Sequence, residues 1–252
     1  MAVLWRAEQD EVRYELRSQG RTLRLFANGV QHSEYHPERL FTGSVWDLLW
    51  LPVLFRDSRR VRRVLILGLG GGSVVAPLSR FCQPHKMVAV DMDPLHLQVA
   101  RQFFGVEAAG VECHCMDARY YVEQYLNNPN AEPFDLVIED LFAPHDTSVS
   151  RALPADRNWC QLLARLVSAD GYLVMNFGDW SEYRDSWAAS DLAKKGWSER
   201  FRLSTQDCHN AVIVHSRRAV DSATLRRQLQ DQPLTAAALL SGKLDYQIRR
   251  LA

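Results

Sequence analysis

Residues 64–73 read VLILGLGGGS. The run Val64–Leu67 has no polar residue alternating with it, which is the pattern of a parallel strand covered on both faces. It breaks into Gly68, Gly70, Gly71 and Gly72. Ser73 then stands where an N-cap would open the helical pattern Val74–Phe81. A strand that ends in glycines at a helix start brings bare backbone and free N–H groups to a ligand. That is the first turn of a nucleotide- or nucleoside-binding α/β domain. Taken alone, the same glycines also fit a purely structural tight turn.

The next apolar run, Met87–Asp91, ends in an acid. A carboxylate at the end of the second strand can accept two ribose hydroxyls. Asp91 is the candidate, because Asp93-Pro94 reads as the cap and first position of the following helix. This fits both NAD and S-adenosylmethionine. The dinucleotide fingerprint would put its third glycine at position 73, where Ser73 stands, and this disfavours NAD. A third strand, Val111–Cys115, runs into Met116-Asp117-Ala118, where a carboxylate can accept from the adenine amino group. A fourth, Phe134–Glu139, runs into Asp140 and Leu141-Phe142-Ala143-Pro144. Any one of these acids could be a helix cap. Together they mark the edge where a parallel sheet binds ligands.

The surrounding sequence narrows the options. With 252 residues, 30 basic and 30 acidic, the chain suits one substantial α/β domain plus an appendage. Its balanced charge gives no reason to expect nucleic acid or an anionic membrane as partner. MAVLWRAEQDEV has no apolar leader, so a cytoplasmic location is expected. The longest apolar run, Val45–Phe55, contains Asp47 and Pro52 and is too short for a bilayer. It reads as a buried helix with Trp46 and Trp50 on one face. Five cysteines without a CxxC pair, Cys113 and Cys115 among them, read as buried reduced thiols, and eight scattered histidines give no metal site. The cluster Arg59, Arg60, Arg62, Arg63 reads as a solvated strand entrance or domain seam, with an anionic partner surface as the alternative.

Three segments follow: residues 1–58, a small β-hairpin module with a linking helix; 59–216, a Rossmann-like doubly wound domain; and 217–252, a helical tail. The hairpin strands are expected at 11–18 and 21–27, and a helix over 38–56. Later elements are a strand Tyr172–Phe177, a helix Ser181–Lys195 ending at Gly196, and a closing hairpin of Phe201–Ser204 and Ala211–His215. Two strands alone bury too little to be stable, so the hairpin is expected to pair with further strands.

VLILGLGGGSVV, AVDMDP, CMDARYYV and FDLVIEDLFAP, in this order, resemble the spermidine synthase family and its methyltransferase-like relatives. RTLRLFANGVQHSE is similar to that family's N-terminal hairpin, with Asn28-Gly29-Val30-Gln31 at its turn. The resemblance spans roughly residues 11–216. It implies a Class I methyltransferase-type fold, a cytoplasmic homodimer in which the N-terminal hairpin pairs with strands of a second copy, and a co-substrate that is S-adenosylmethionine or its decarboxylated form, with no metal. It assigns nucleoside binding to Gly68, Gly70, Gly71, Gly72, Asp91, Asp117 and Ala118, catalysis to Asp140, and an acceptor gate to Gln31, Phe41 and Ala143.

The departures matter as much. The family's loop acid, which holds the ammonium of the aminopropyl donor, falls on Gly71. Its second acceptor acid falls on Ala143, its gate tyrosine on Phe41, and its Tyr-Pro-x-Gly segment on Asp207-Cys208-His209-Asn210. A diamine needs carboxylates at both ends. The first reading is therefore methyl transfer from S-adenosylmethionine to an amine-type acceptor. Aminopropyl transfer from the decarboxylated donor is the alternative, and a non-catalytic nucleoside-binding protein is the third option.

Overall fold

Five strands run parallel at the heart of the computed structural model, which describes residues 1–145 and 148–252. They are β5 (Arg63–Leu67), β6 (Lys86–Asp91), β7 (Glu112–Cys115), β8 (Phe134–Glu139) and β11 (Val167–Phe177). Antiparallel strands β12 (Glu199–Ser204), β13 (Ala211–Ser216) and β14 (Gln247–Arg250) extend the sheet. The order is β14-β12-β13-β11-β8-β5-β6-β7. Chain order reverses between β5 and β8, so the switch point lies at the glycine loop.

The continuous apolar runs are explained by cover on both faces. Val64, Ile66, Leu136, Ile138 and Val174 sit in one core with α2 (Val75–Phe81), α3 (Pro94–Phe103) and α8 (Ser222–Asp231). Leu65, Leu67, Val137, Leu173 and Met175 sit in the other, with α4 (Ala118–Asn127) and α5 (Arg157–Leu166).

The N-terminal module is larger than a hairpin. Strands β1 (Ala2–Gln9), β2 (Val12–Gln19), β3 (Thr22–Ala27) and β4 (Val30–Tyr35) form an antiparallel meander. The expected 11–18/21–27 pair thus finds its neighbours in its own chain, not in a second copy. Asn28 and Gly29, at φ 48° and 81°, make the two-residue turn between β3 and β4.

Several expected elements are corrected. The helix of residues 38–56 begins only at Val45. Residues 42–44 instead fold back so that the N–H groups of Thr42 and Gly43 donate to the buried Asp47 carboxylate. α1 (Val45–Trp50) then tightens into a 3-10 turn at Leu51–Phe55, where Pro52 has no N–H to continue an α-helix. Ser181–Lys195 is three short pieces: α6 (Trp180–Asp185), a 3-10 turn Trp187–Ala189 and α7 (Asp191–Lys194). The tail is not all helical, because after α8 and α9 (Pro233–Leu240) it returns as edge strand β14. Ser73 does not cap α2; its hydroxyl accepts from the Glu34 N–H of β4. The five cysteines are free, but Cys115 is exposed on edge strand β7. No helix among the described residues is long and apolar enough to cross a membrane.

Candidate functional site

A cavity of about 990 Å³ opens where the parallel strands end, roofed by the N-terminal sheet. Its shape starts with Gly68, at φ 86°. A β-carbon there would lie 2.1 Å from the Asp140 carbonyl oxygen, so only glycine lets β5 and β8 end side by side. Asp140 N–H donates to Leu67 O at 2.8 Å, and Gly68 N–H to Val90 O at 2.8 Å, tying three strand ends together.

Asp91 lies in the wall, but backbone groups take up its carboxylate. Oδ2 accepts from the N–H groups of Leu69 (2.9 Å) and Gly70 (2.8 Å), and Oδ1 from Asp93 N–H at 2.9 Å. Burial pushes its pKa up. The nearby His96 ring and these N–H donors outweigh that and hold it below the ordinary aspartate value. Asp93 caps α3 through the N–H groups of Leu95 and His96, and its other oxygen accepts from Tyr14 Oη at 2.5 Å. Asp117 likewise caps α4, accepting from Tyr120 N–H at 2.8 Å.

Two histidines that the sequence reading passed over sit at this end. His32 and His96 line the cavity with ring centroids 5.3 Å apart. Burial and the His96 charge push His32 down to about 4. Burial also lowers His96, but Asp91 more than offsets it, leaving this imidazole above its ordinary value.

At the other end, Asp140 Oδ1 accepts from Asn176 Nδ2 at 2.7 Å, and Asn176 Oδ1 accepts from Asn210 Nδ2 at 3.1 Å. Burial pushes the Asp140 carboxyl up to about 6, against the Asn176 hydrogen bond. Behind it, Glu139 and Arg151 form a bidentate pair at 2.9 and 2.6 Å. The Arg151 side chain is 4% exposed and that of Glu139 is fully buried. Trp159 Nε1 also donates to Glu139, at 3.1 Å. Arg151 closes the hairpin of β9 (Phe142–His145) and β10 (Ser148–Arg151), so the pair staples this hairpin to the sheet. Nothing in the spacing of Glu139 and Arg151 marked them as partners.

The structure brings Gly68, Gly70, Asp91, Asp117, Ala118, Asp140, Gln31 and Ala143 together in the cavity wall. It leaves three expected residues behind the wall. A β-carbon on Gly71 would point at the Phe104 ring, 2.7 Å away, and at Ser33; Gly72 faces Val106. Phe41 packs on Trp50 and Phe81, at centroid distances of 6.0 and 6.5 Å. In its stead Trp46 lines the cavity, with Cys208 and Asn210.

Known proteins match this arrangement at three levels. A family model described as the spermine/spermidine synthase domain matches residues 51–190, more than half of the chain. The polyamine aminopropyltransferase of Vibrio vulnificus is 27% identical over 179 residues, covering 71% of this chain and 57% of that protein. The chain thus spans little more than half the length of that relative. Among solved structures, a probable spermidine synthase from Corynebacterium glutamicum superposes with a TM-score of 0.69 at 17% identity, over 99% of this chain and 91% of that one. Human methyltransferase-like protein 13, in complex with SAH, gives 0.57 at 20% identity, over 79% and 91%. At these identities both structures speak for the fold.

Proposed function

The chain belongs to the spermine/spermidine synthase family, and we propose on that footing that it transfers a methyl group from S-adenosylmethionine to an amine-type acceptor. The observation that carries this reading is that, among the described residues, Asp140 is the one carboxylate lining the acceptor end. Asp140 shares that wall with Ala143, Asn176 and Asn210. A dicationic acceptor would need a second acid, and the position expected to supply it holds Ala143. At the donor end, the position of the family's loop acid is Gly71, backed by the Phe104 ring, so that loop offers no charge to repel the donor's own carboxylate.

In this reading the adenosyl group lies along Gly68, Gly70, Asp91, Asp117 and Ala118, and the sulfonium faces Asp140. The neutral amine attacks the methyl carbon in line. The carbon–nitrogen bond forms as the carbon–sulfur bond breaks, and the sulfur leaves as a neutral thioether. Holding the two partners in line is worth about 7–11 kcal/mol. Asp140 accepts the amine N–H and takes its proton, a contribution of about 10²–10⁴ in rate. With its carboxyl near 6 it is ionised at neutral pH, yet a better base than an ordinary aspartate.

Aminopropyl transfer is the second reading. It is favoured by the likeness to the Vibrio polyamine aminopropyltransferase and to the probable spermidine synthase of Corynebacterium. Titration calorimetry with S-adenosylmethionine, its decarboxylated form and methylthioadenosine separates the two. The first reading expects S-adenosylmethionine to bind at least as tightly as the decarboxylated donor. A clear preference for the decarboxylated donor, with spermidine formed from putrescine, overturns it. The family reading also carries a cytoplasmic homodimer, which sedimentation would test for the oligomer.

A further inference from the structure

The side chains around Asp140 form a directed chain. A carboxylate oxygen only accepts, so the group of Asn176 that faces Asp140 Oδ1 is its NH₂. That leaves the Asn176 carbonyl for Asn210 Nδ2, at 3.1 Å. Asn176 is 3% exposed, and its backbone oxygen accepts from Arg151 Nη1, so the residue is fixed at both ends. Asn210 stands just before β13 in the cavity wall. Among the residues whose side chains the structure describes, none donates to Asp140 Oδ2, and Asp140 lines the cavity. Resting on the transferase reading above, we propose that Asn210 is a positioning residue, acting through Asn176 to hold Asp140 with Oδ2 turned to the acceptor.

The physical reason is polarity. An amide can turn over, and a turned Asn176 would set its carbonyl oxygen against the carboxylate. Asn210 removes that choice by donating to the carbonyl. It also polarises the Asn176 amide and strengthens its donation to Asp140. Among the described residues, the other charged groups acting on Asp140 are Glu139 on its own strand, Arg151 on β10 and Asp91 on β6. Glu139 and Arg151 pair with each other. Among the described residues, Asp10, Tyr14, Asp93, Asp117, Cys208, His32 and His96 are the further titratable groups of the wall. None of these belongs to the Asn210–Asn176 chain, so removing Asn210 leaves them in place.

The test is the ¹³C titration of the Asp140 carboxyl in the wild type, Asn210→Ala, Asn176→Ala and the double variant. Asn176→Ala removes a donor to the charged form, so the midpoint rises by about one pH unit or more. Asn210→Ala raises it by roughly a few tenths of a unit. In the Asn176→Ala background, Asn210→Ala should add nothing, because its effect has no other route. An unmoved midpoint in Asn210→Ala, or the same displacement in both backgrounds, overturns the proposal. The rising limb of the pH profile of kcat/KM should move with the midpoint. Calorimetry with S-adenosylmethionine on the same samples keeps the two ideas apart. A wild type that binds no donor sinks the transferase reading and leaves the titration result standing.

Discussion

The two ends of the cavity use carboxylates in opposite ways. At the glycine-loop end, Asp91, Asp93 and Asp117 accept from backbone N–H groups of loops and helix starts. At the acceptor end, Asp140 is buried with one oxygen tied to an amide, and its carboxyl is pushed up to about 6. The first arrangement builds a rigid floor. The second leaves an acid short of partners, which is the condition for exchanging a proton near neutral pH.

Asp140→Asn breaks the comparison most directly. Turnover should fall by about 10²–10⁴, while S-adenosylmethionine binding measured by calorimetry changes little. Stability should move the other way. The folded-state value of Asp140 lies above the ordinary 3.8, so ionising it costs stability as pH rises from 3.8 to about 6. That shift corresponds to about 3 kcal/mol. The variant escapes the loss, so its advantage in urea unfolding should be small at pH 4 and grow to a plateau above about pH 6. An advantage that does not change with pH would mean that Asp140 is an ordinary loop acid.

Arg151→Ala comes next. It strands the fully buried Glu139 without its cation, a loss of about 3–5 kcal/mol readable as thermal unfolding. It also unstaples the β9–β10 hairpin and removes the charge that lowers Asp140, so activity at neutral pH falls as well. Gly71→Ala is smaller. Its new methyl meets the Phe104 ring, itself 2% exposed, and overpacking of this kind costs about 1–3 kcal/mol. A variant as stable as the wild type would show that the loop has room at this position, and would reopen donor selection by an acid there.

How much of this was readable beforehand follows the same division. β5, β6 and β8 declare themselves by apolar runs, and the glycines after β5 and the acids Asp91 and Asp140 at the ends of β6 and β8 are visible in the chain. The fate of a carboxylate is not: Asp91 looks the same whether its oxygens meet ribose or the Leu69 and Gly70 N–H groups. Gly71 matched a family position by alignment, but its missing side chain points into the core, and only the fold sets that direction. β1 escaped notice because it is exposed along nearly its whole length, so no buried alternation marks it. The Glu139–Arg151 pair and the Asn210–Asn176 chain join residues from separate strands and a hairpin, and no local pattern encodes such meetings. Asp93-Pro94, by contrast, was read correctly as a cap, because a cap is local chemistry.

Tyr14→Phe is the finest probe of the contrast. Tyr14 reaches from β2 to Asp93 at 2.5 Å and stands edge-on to His96 with ring centroids 5.7 Å apart. It therefore links the N-terminal sheet to the floor of the glycine-loop end. Phenylalanine keeps the ring and removes only the hydrogen bond. Asp93 retains its two cap N–H donors, and its freed oxygen borders the cavity, where water can replace the phenol. The expected loss is about 0.5–1.5 kcal/mol in unfolding, with donor affinity lowered by a similar amount. Because in the proposed reading this end only holds the nucleoside, kcat at saturating donor should stay at the wild-type value. A fall in kcat comparable to that of Asp140→Asn would mean that the two ends do not divide binding from chemistry. An unchanged kcat with weakened donor binding would locate the role of the N-terminal sheet in the binding step alone.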